Sequence, residues 1–237
     1  MSLLTLIQGV CNTPGIGINA PSVVVGSTDR GVKELYELAQ QEGKELATRA
    51  AWQRLTKEQT FTSTATEAQA NALATDADWI VPDTFYNRTQ KRQVVGPLAS
   101  KEWAAQKAIT ATVLFDSFRL RGSSILMLPT PVAGDTYAYE YVSLYWVDTD
   151  ADGDGEAASW ASDTDTALLD ERLMKLGVVW RWKKAKGLDY AEDFRTYEIL
   201  VTQAIGRDGA RTKLDFSSEA GTDTPRSPAV PEGNWSL

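Results

Sequence analysis

The sequence predicts an α+β protein: a small helical bundle built from both ends of the chain, an inserted β-rich domain and a flexible C-terminal arm. Three observations predict it. Apolar residues recur at helical spacing near both ends of the chain. The middle alternates apolar and polar residues between Gly and Pro turns. The last stretch follows neither pattern. The bundle is therefore placed in residues 1–55 and 163–208, the β-rich domain in 56–162 and the arm in 209–237.

Leu3, Leu4, Leu6, Ile7 and Val10 predict a short packed helix over 3–12. The stretch MSLLTLIQGVCN has no basic start and no long apolar core, so no secretory signal is expected. Residues 13–28 form a Gly/Pro-punctuated connection. Gly15 and Gly17 belong to turns, since neither GxGxxG nor GxxxxGK[ST] is present to cradle a phosphate. A second helix is expected from Asp29 to Trp52, with Val32, Leu35, Ala39, Leu46 and Ala50 turned inward. The Thr-rich segment TKEQTFTST predicts a strand. Residues 73–97 read as irregular, and Ser100 as the N-cap of a short helix. FRLRGSSILMLP predicts a hairpin turning at Gly122-Ser123-Ser124. Residues 136–148 predict the best strand, with Tyr137, Tyr139, Tyr141, Ser143 and Tyr145 on one face.

Residues 166–206 predict two amphipathic helices, 166–183 and 189–206. The first would turn Leu169, Leu173, Leu176 and Trp180 inward, and the second Tyr190, Phe194, Tyr197, Val201 and Ile205. Gly187 sits where a residue of positive φ ends a helix. Asp165 or Thr166 would cap the first helix, and Asp189 with Glu192 would start the second as a capping box. Residues 209–237 are rich in Gly, Ser, Thr and Pro with few apolar side chains, so they should be disordered until a partner supplies apolar surface. Phe216, Val230 and Trp235 are the expected partner-binding anchors.

Composition excludes several function classes. The chain has no histidine, so no Ser-His-Asp or Cys-His arrangement and no His-ligated zinc site can be built. Cys11 is the only cysteine and should be a buried structural thiol. A net charge of −8 argues against gripping nucleic acid by counterion release, though it suits a surface past which DNA slides. No apolar run is long enough for a membrane span. No catalytic residues, metal site or cofactor are expected. Asp148, Asp150 and Asp152 with Gly153 match the first half of an EF-hand loop, but the twelfth position is Ser159 and no bidentate Glu stands there. They remain a weak cation candidate on a solvated acidic loop. Asp163, Asp165, Asp170 and Glu171 form a second acidic cluster near a helix start. Arg88, Lys91 and Arg92, with Tyr86 nearby, form a basic segment read as a solvated loop or partner contact. Trp52, Trp103, Trp146, Trp160, Trp180 and Trp182 are expected in the core or at interfaces.

The order of these features resembles the head-to-tail adaptor proteins of short-tailed bacteriophages, the tail tubular A-type, portal-binding family. The resemblance runs from residue 3 to about 209. It rests on the helix LLTLIQGVCN, on Pro21-Ser22-Val23, and on the second helix ending in Trp52-Gln53-Arg54-Leu55. Its most family-like text is LDERLMKLGVVWRWKKAKGLDYAEDFRTYEILVTQAIGRDG. The resemblance implies a dodecameric ring in the virion neck, assembled in the host cytoplasm. Such a ring would join the portal to a downstream tail or nozzle protein around a bore for DNA. It also implies an arm that extends along the portal. The competing readings are another neck component, such as a stopper or tail-completion protein, and a calcium-dependent binding module using the acidic loop.

Overall fold

A computed structural model describes residues 2–108, 115–150 and 155–209. Asp152 and the arm residues Phe216, Val230 and Trp235 lie outside the described residues. In chain order the elements are α1 (Leu3–Cys11), α2 (Arg30–Ala47), β1 (Thr56–Thr62), β2 (Ala68–Gln69), β3 (Ala77–Ile80), β4 (Tyr86–Asn87) and β5 (Arg92–Gln93). There follow α3 (Ser100–Ala108), β6 (Ser117–Arg121), β7 (Ser124–Leu128), β8 (Thr136–Ser143), β9 (Val147–Asp148), β10 (Glu156–Ala157), β11 (Thr166–Ala167), α4 (Glu171–Ala185) and α5 (Ala191–Asp208). Helices and antiparallel sheets mix, as an α+β class requires.

The first two helices begin at side-chain caps. The Ser2 hydroxyl accepts from the Thr5 amide, and Asp29 accepts from Gly31 (2.7 Å) and Val32 (3.3 Å). Leu3, Leu6, Ile7, Val10 and Cys11 in α1 and Val32, Leu35, Ala39 and Leu46 in α2 are buried as their spacing predicts, whereas Leu4 is half-buried and Ala50 lies half-buried beyond the end of α2. Helix α2 stops at Ala47, short of the expected Trp52. The chain turns back there: the Trp52 indole donates to the Leu46 carbonyl (2.7 Å), and the Thr48 hydroxyl bonds back into the last turn.

Helix α4 is shorter and more central than its sequence suggests. It contacts α1, α2 and α5. Met174, Val178, Val179 and Trp182 are therefore buried along with Leu173 and Trp180, whereas Leu176, expected inward, is half-buried and the exposed polar residues Glu171, Arg172 and Lys184 lie near the helix ends. Its cap is Asp170, which accepts from Arg172 (2.8 Å) and Leu173 (3.1 Å), rather than Asp165 or Thr166. Thr166 is held in the ladder β11–β9, opposite Asp148, and Asp165 closes a turn by accepting from Ala161 and Ser162. The helix ends as predicted at Gly187, φ +69°. Leu188 N–H donates to the Lys183 carbonyl and Gly187 N–H to Lys184, the paired bonds of a Schellman turn.

In α5, Tyr197 and Val201 are buried, but Tyr190, Phe194 and Ile205 stay 36%, 38% and 36% exposed. The centre of α5 packs on α4 and both its ends overhang. The expected capping box does not form: Tyr190 is the cap residue without a side-chain bond, and Asp189 accepts from Ala191 N–H (3.3 Å). Helix α3 likewise starts one residue early. The Ala99 carbonyl takes its first bond, while Ser100 Oγ accepts from Arg119.

Strand β8 organises the largest sheet, ordered β1-β8-β4-β5, with β3 also on β8. Thr56–Thr62 pair antiparallel with Val142–Thr136. Tyr137, Tyr139 and Tyr141 enter a core with Phe85, Phe118 and Ile125. Val142 joins the other core, with Trp146 and the residues of α1, α2, α4 and α5. The expected strand to 148 breaks after Ser143. The Ser143 hydroxyl accepts from Tyr145 N–H, Leu144 N–H donates to the Asp76 carbonyl, and Val147–Asp148 join the small sheet β10-β9-β11. The β6–β7 hairpin turns at Gly122, φ +59°, within the predicted triplet, and forms the third sheet with β2.

Candidate interaction surfaces

A buried charge network sets the helices. Glu42 on α2 is 0% exposed. One of its oxygens accepts from Arg181 Nε (2.7 Å) and the other from Tyr197 OH (2.6 Å). Arg181 also donates to Glu45 through Nη2 (2.6 Å). Three helices are thus joined at one carboxylate. Burial pushes the Glu42 carboxyl up, against the hydrogen bonds from Tyr197 and Arg181, and burial beside Glu42 pushes the Tyr197 phenol up. Two glycines make room. A Cβ on Gly177 would collide with the Glu42 carboxylate, and one on Gly43 with the Trp146 ring. Glu42, Arg181 and Tyr197 are thus bonded to one another, and the network fixes how α2, α4 and α5 pack.

A second node ties the large sheet to the acidic loop. Asp76 accepts from Ser143 Oγ (2.7 Å), Tyr141 OH (3.0 Å) and Lys57 Nζ (3.2 Å), and Lys57 also pairs with Glu156 on β10. Burial alone would raise the Asp76 carboxyl; its three donors outweigh burial and hold it below the ordinary value. Above this node, Asp148 lies opposite both Glu156 and Thr166 in the small sheet. Its Oδ1 accepts from Asp150 N–H (3.2 Å). Among the described residues, no group of three or more His, Cys, Asp or Glu side chains is placed to hold a metal. The second acidic cluster is dispersed into backbone work. Asp163 accepts from Val24 and Val25 N–H (2.7 Å at the shortest), pinning the 13–28 connection, while Asp165 and Asp170 serve the turn and the cap. Gly15 and Gly17 have positive φ, as turn residues.

Three surfaces remain open. At the α4–α5 turn, Leu188, Tyr190 and Phe194 are exposed around Trp180. The Trp180 and Phe194 rings meet edge-on, 5.0 Å between centroids. Exposed Lys184 sits over the buried Trp180 ring (5.7 Å) and exposed Lys186 over the buried Trp182 ring (4.4 Å), so lysines edge the patch. On the outer face of the large sheet, a depression of about 610 Å³ is lined by Tyr86, Arg88, Lys91, Glu58 and Glu140, among others. Its acids Glu58, Asp83 and Glu140 outnumber Arg88 and Lys91, and Arg88 pairs with Glu58. This places two of the basic-segment residues at the depression and leaves Arg92 on β5.

The third surface is a groove of about 530 Å³ where α5 ends, lined by Trp52, Leu168, Leu169, Ala204, Arg54 and Arg207, among others. Sequence reasoning missed it, because its walls come from three distant stretches that only the fold brings together. All six tryptophans expected in the core or at interfaces are buried. Among the described residues, no helix is long and apolar enough to cross a membrane. No family model matches the chain, and no curated protein matches it.

Proposed function

We propose that the chain is a structural head-to-tail adaptor of a short-tailed phage virion. In this reading both ends of the chain make a helical bundle, residues 56–162 are an insertion, and dodecameric rings join the portal to a downstream tail or nozzle protein. DNA passes through the ring without specific binding, and the subunit catalyses nothing. The observation that carries the reading is the α4–α5 hairpin. Its sequence is the most family-like part of the chain, and its turn leaves Leu188, Tyr190 and Phe194 exposed beside Trp180. An apolar, aromatic patch rimmed by cations on a single subunit is a protein-contact surface. Support also comes from a net charge of −8, which suits a bore that does not hold DNA, and from the lack of histidine chemistry.

Co-sedimentation with purified cognate portal rings tests the reading. The full chain should pellet with the rings. Deleting residues 216–237 should weaken attachment, because a docked arm adds contacts at high effective concentration. A chain that stays in the supernatant at micromolar concentrations would overturn the assignment.

A further inference from the structure

We infer that β1, the open edge of the large sheet, pairs antiparallel with β1 of a second copy of this chain. The inference goes beyond the adaptor reading and does not depend on it. An edge pair related by a two-fold axis is a state of the free subunit, whereas a ring is built from head-to-tail contacts. In the order β1-β8-β4-β5, β1 has a strand on one side only. Thr136 and Glu140 of β8 turn their backbone groups the other way, toward β3 and β4. The Thr136 carbonyl accepts from Arg88 N–H (2.8 Å), and the Glu140 carbonyl from Val81 N–H (2.9 Å). Thr62 and Glu58 stand opposite them in register, so their backbone groups point away from β8, as do those of Thr60 between them. Among the described residues, nothing on that open side bonds to these three.

Proteins blunt such an edge with proline, a bulge or unpaired charge. β1 has none of these. Its seven residues, TKEQTFT, contain no Pro or Gly and run in unbroken register along β8. Its two charges are taken within the subunit, Lys57 by Asp76 and Glu156, and Glu58 by Arg88. The strand is also its own complement, and this names the occupant. A two-fold axis at Thr60 sets Thr60 opposite Thr60, Glu58 opposite Thr62, and Gln59 opposite Phe61. Every outward N–H and C=O from 58 to 62 then has a partner. No like charges face each other, and paired threonines at the axis are a favourable cross-strand pair. Moving the axis to Gln59 or Phe61 would call on Thr56 or Thr64 instead. Their amides are already bonded, Thr56 to the Gln53 carbonyl and Thr64 to the Gln69 side chain.

Sedimentation equilibrium of the isolated full-length protein, from about 1 to 500 μM, tests this without a portal. The weight-average mass should rise toward twice that of the monomer. Thr60 is exposed, so Thr60→Lys should melt like the wild type. It sets two ammonium groups across the axis and should weaken the association by about tenfold or more. Cross-linking reads the register. Cys11 is buried, so Thr60→Cys and Glu58→Cys each add one accessible thiol. Facing residues at the axis lie about 5.5 Å apart, within reach of a disulfide. The two copies of residue 58 lie about 13 Å or more apart, beyond that reach. With diamide, Thr60→Cys should give a covalent dimer and Glu58→Cys should not. A mass that stays at the monomer value would overturn the inference, as would equal cross-linking of the two variants. Association that survives Thr60→Lys would overturn it too, by moving the contact to another surface such as the α4–α5 turn.

Discussion

Arg181→Met should be among the most damaging single substitutions in the described chain. The guanidinium is 7% exposed and, among the described residues, is the only cation paired with Glu42, which is 0% exposed. Removing one partner of a buried pair costs about 3–5 kcal/mol, because the other charge stays buried. Glu42 has one escape, protonation. Its carboxyl in the unfolded chain has a pKa near 4.3, so a neutral Glu42 at pH 7 costs about 3.7 kcal/mol at 1.36 kcal/mol per unit. That sets a ceiling of about 4 kcal/mol on the charge part of the penalty. For a domain of this size the melting temperature should fall by roughly 7–15 °C. The sign of the pH dependence follows. In the variant, folded Glu42 binds a proton that the unfolded chain releases above pH 4.3, so stability is lost as pH rises. The gap to the wild type should therefore narrow from pH 7 to pH 5, by up to about 1.4 kcal/mol per unit. The double variant Glu42→Leu/Arg181→Met removes both charges and should recover most of the loss. Urea unfolding followed by circular dichroism at pH 5 and 7 measures all three. A single variant as stable as the wild type at pH 7, or a gap that does not shrink in acid, would refute the reasoning.

Three further outcomes are expected. Gly43→Ala should destabilise by about 1–3 kcal/mol or more in chemical denaturation, since the new methyl meets the Trp146 ring. Leu173→Ala should cost about 2–5 kcal/mol, whereas Phe194→Ala should cost only about 1–2 because the ring is 38% exposed; equal losses would show that the overhang of α5 is wrong. Asp76→Asn should remove stability that the wild type loses only in acid. The Asp76 carboxyl is held below its ordinary value when folded, so its contribution is present above about pH 4 and disappears as pH falls through the folded value. Melting curves from pH 3 to 7 should show wild type and variant converging at the acid end.

What was legible in the sequence was local. Gly187 announced a helix end because a left-handed residue and its two hydrogen bonds need only neighbours in the chain. The tyrosines of β8 announced a buried face because alternation is a property of one strand. Failures began where several local solutions compete. Asp165 or Thr166 was the expected cap, but the pairing of Thr166 with Asp148, set by the fold, moved the helix start to Asp170. A regular 3.6-residue stripe on 189–206 did not mean a buried stripe, because how far α5 overhangs α4 is decided by packing. The Glu42–Arg181 pair was invisible, since a Glu and an Arg on helices read as solvated. The only trace was Gly177 and Gly43, glycines inside helices where neither favours the helix. The α5 groove left no trace at all in the sequence.

Electron microscopy of the chain mixed with its cognate portal tests the central proposal most directly. The account predicts a single dodecameric ring beneath the portal, with the α4–α5 turn covered by a neighbouring subunit or by the portal, and an open axial bore. A subunit that remains monomeric, occupies the channel as a plug, or leaves Leu188, Tyr190 and Phe194 facing solvent in the assembled particle would contradict it.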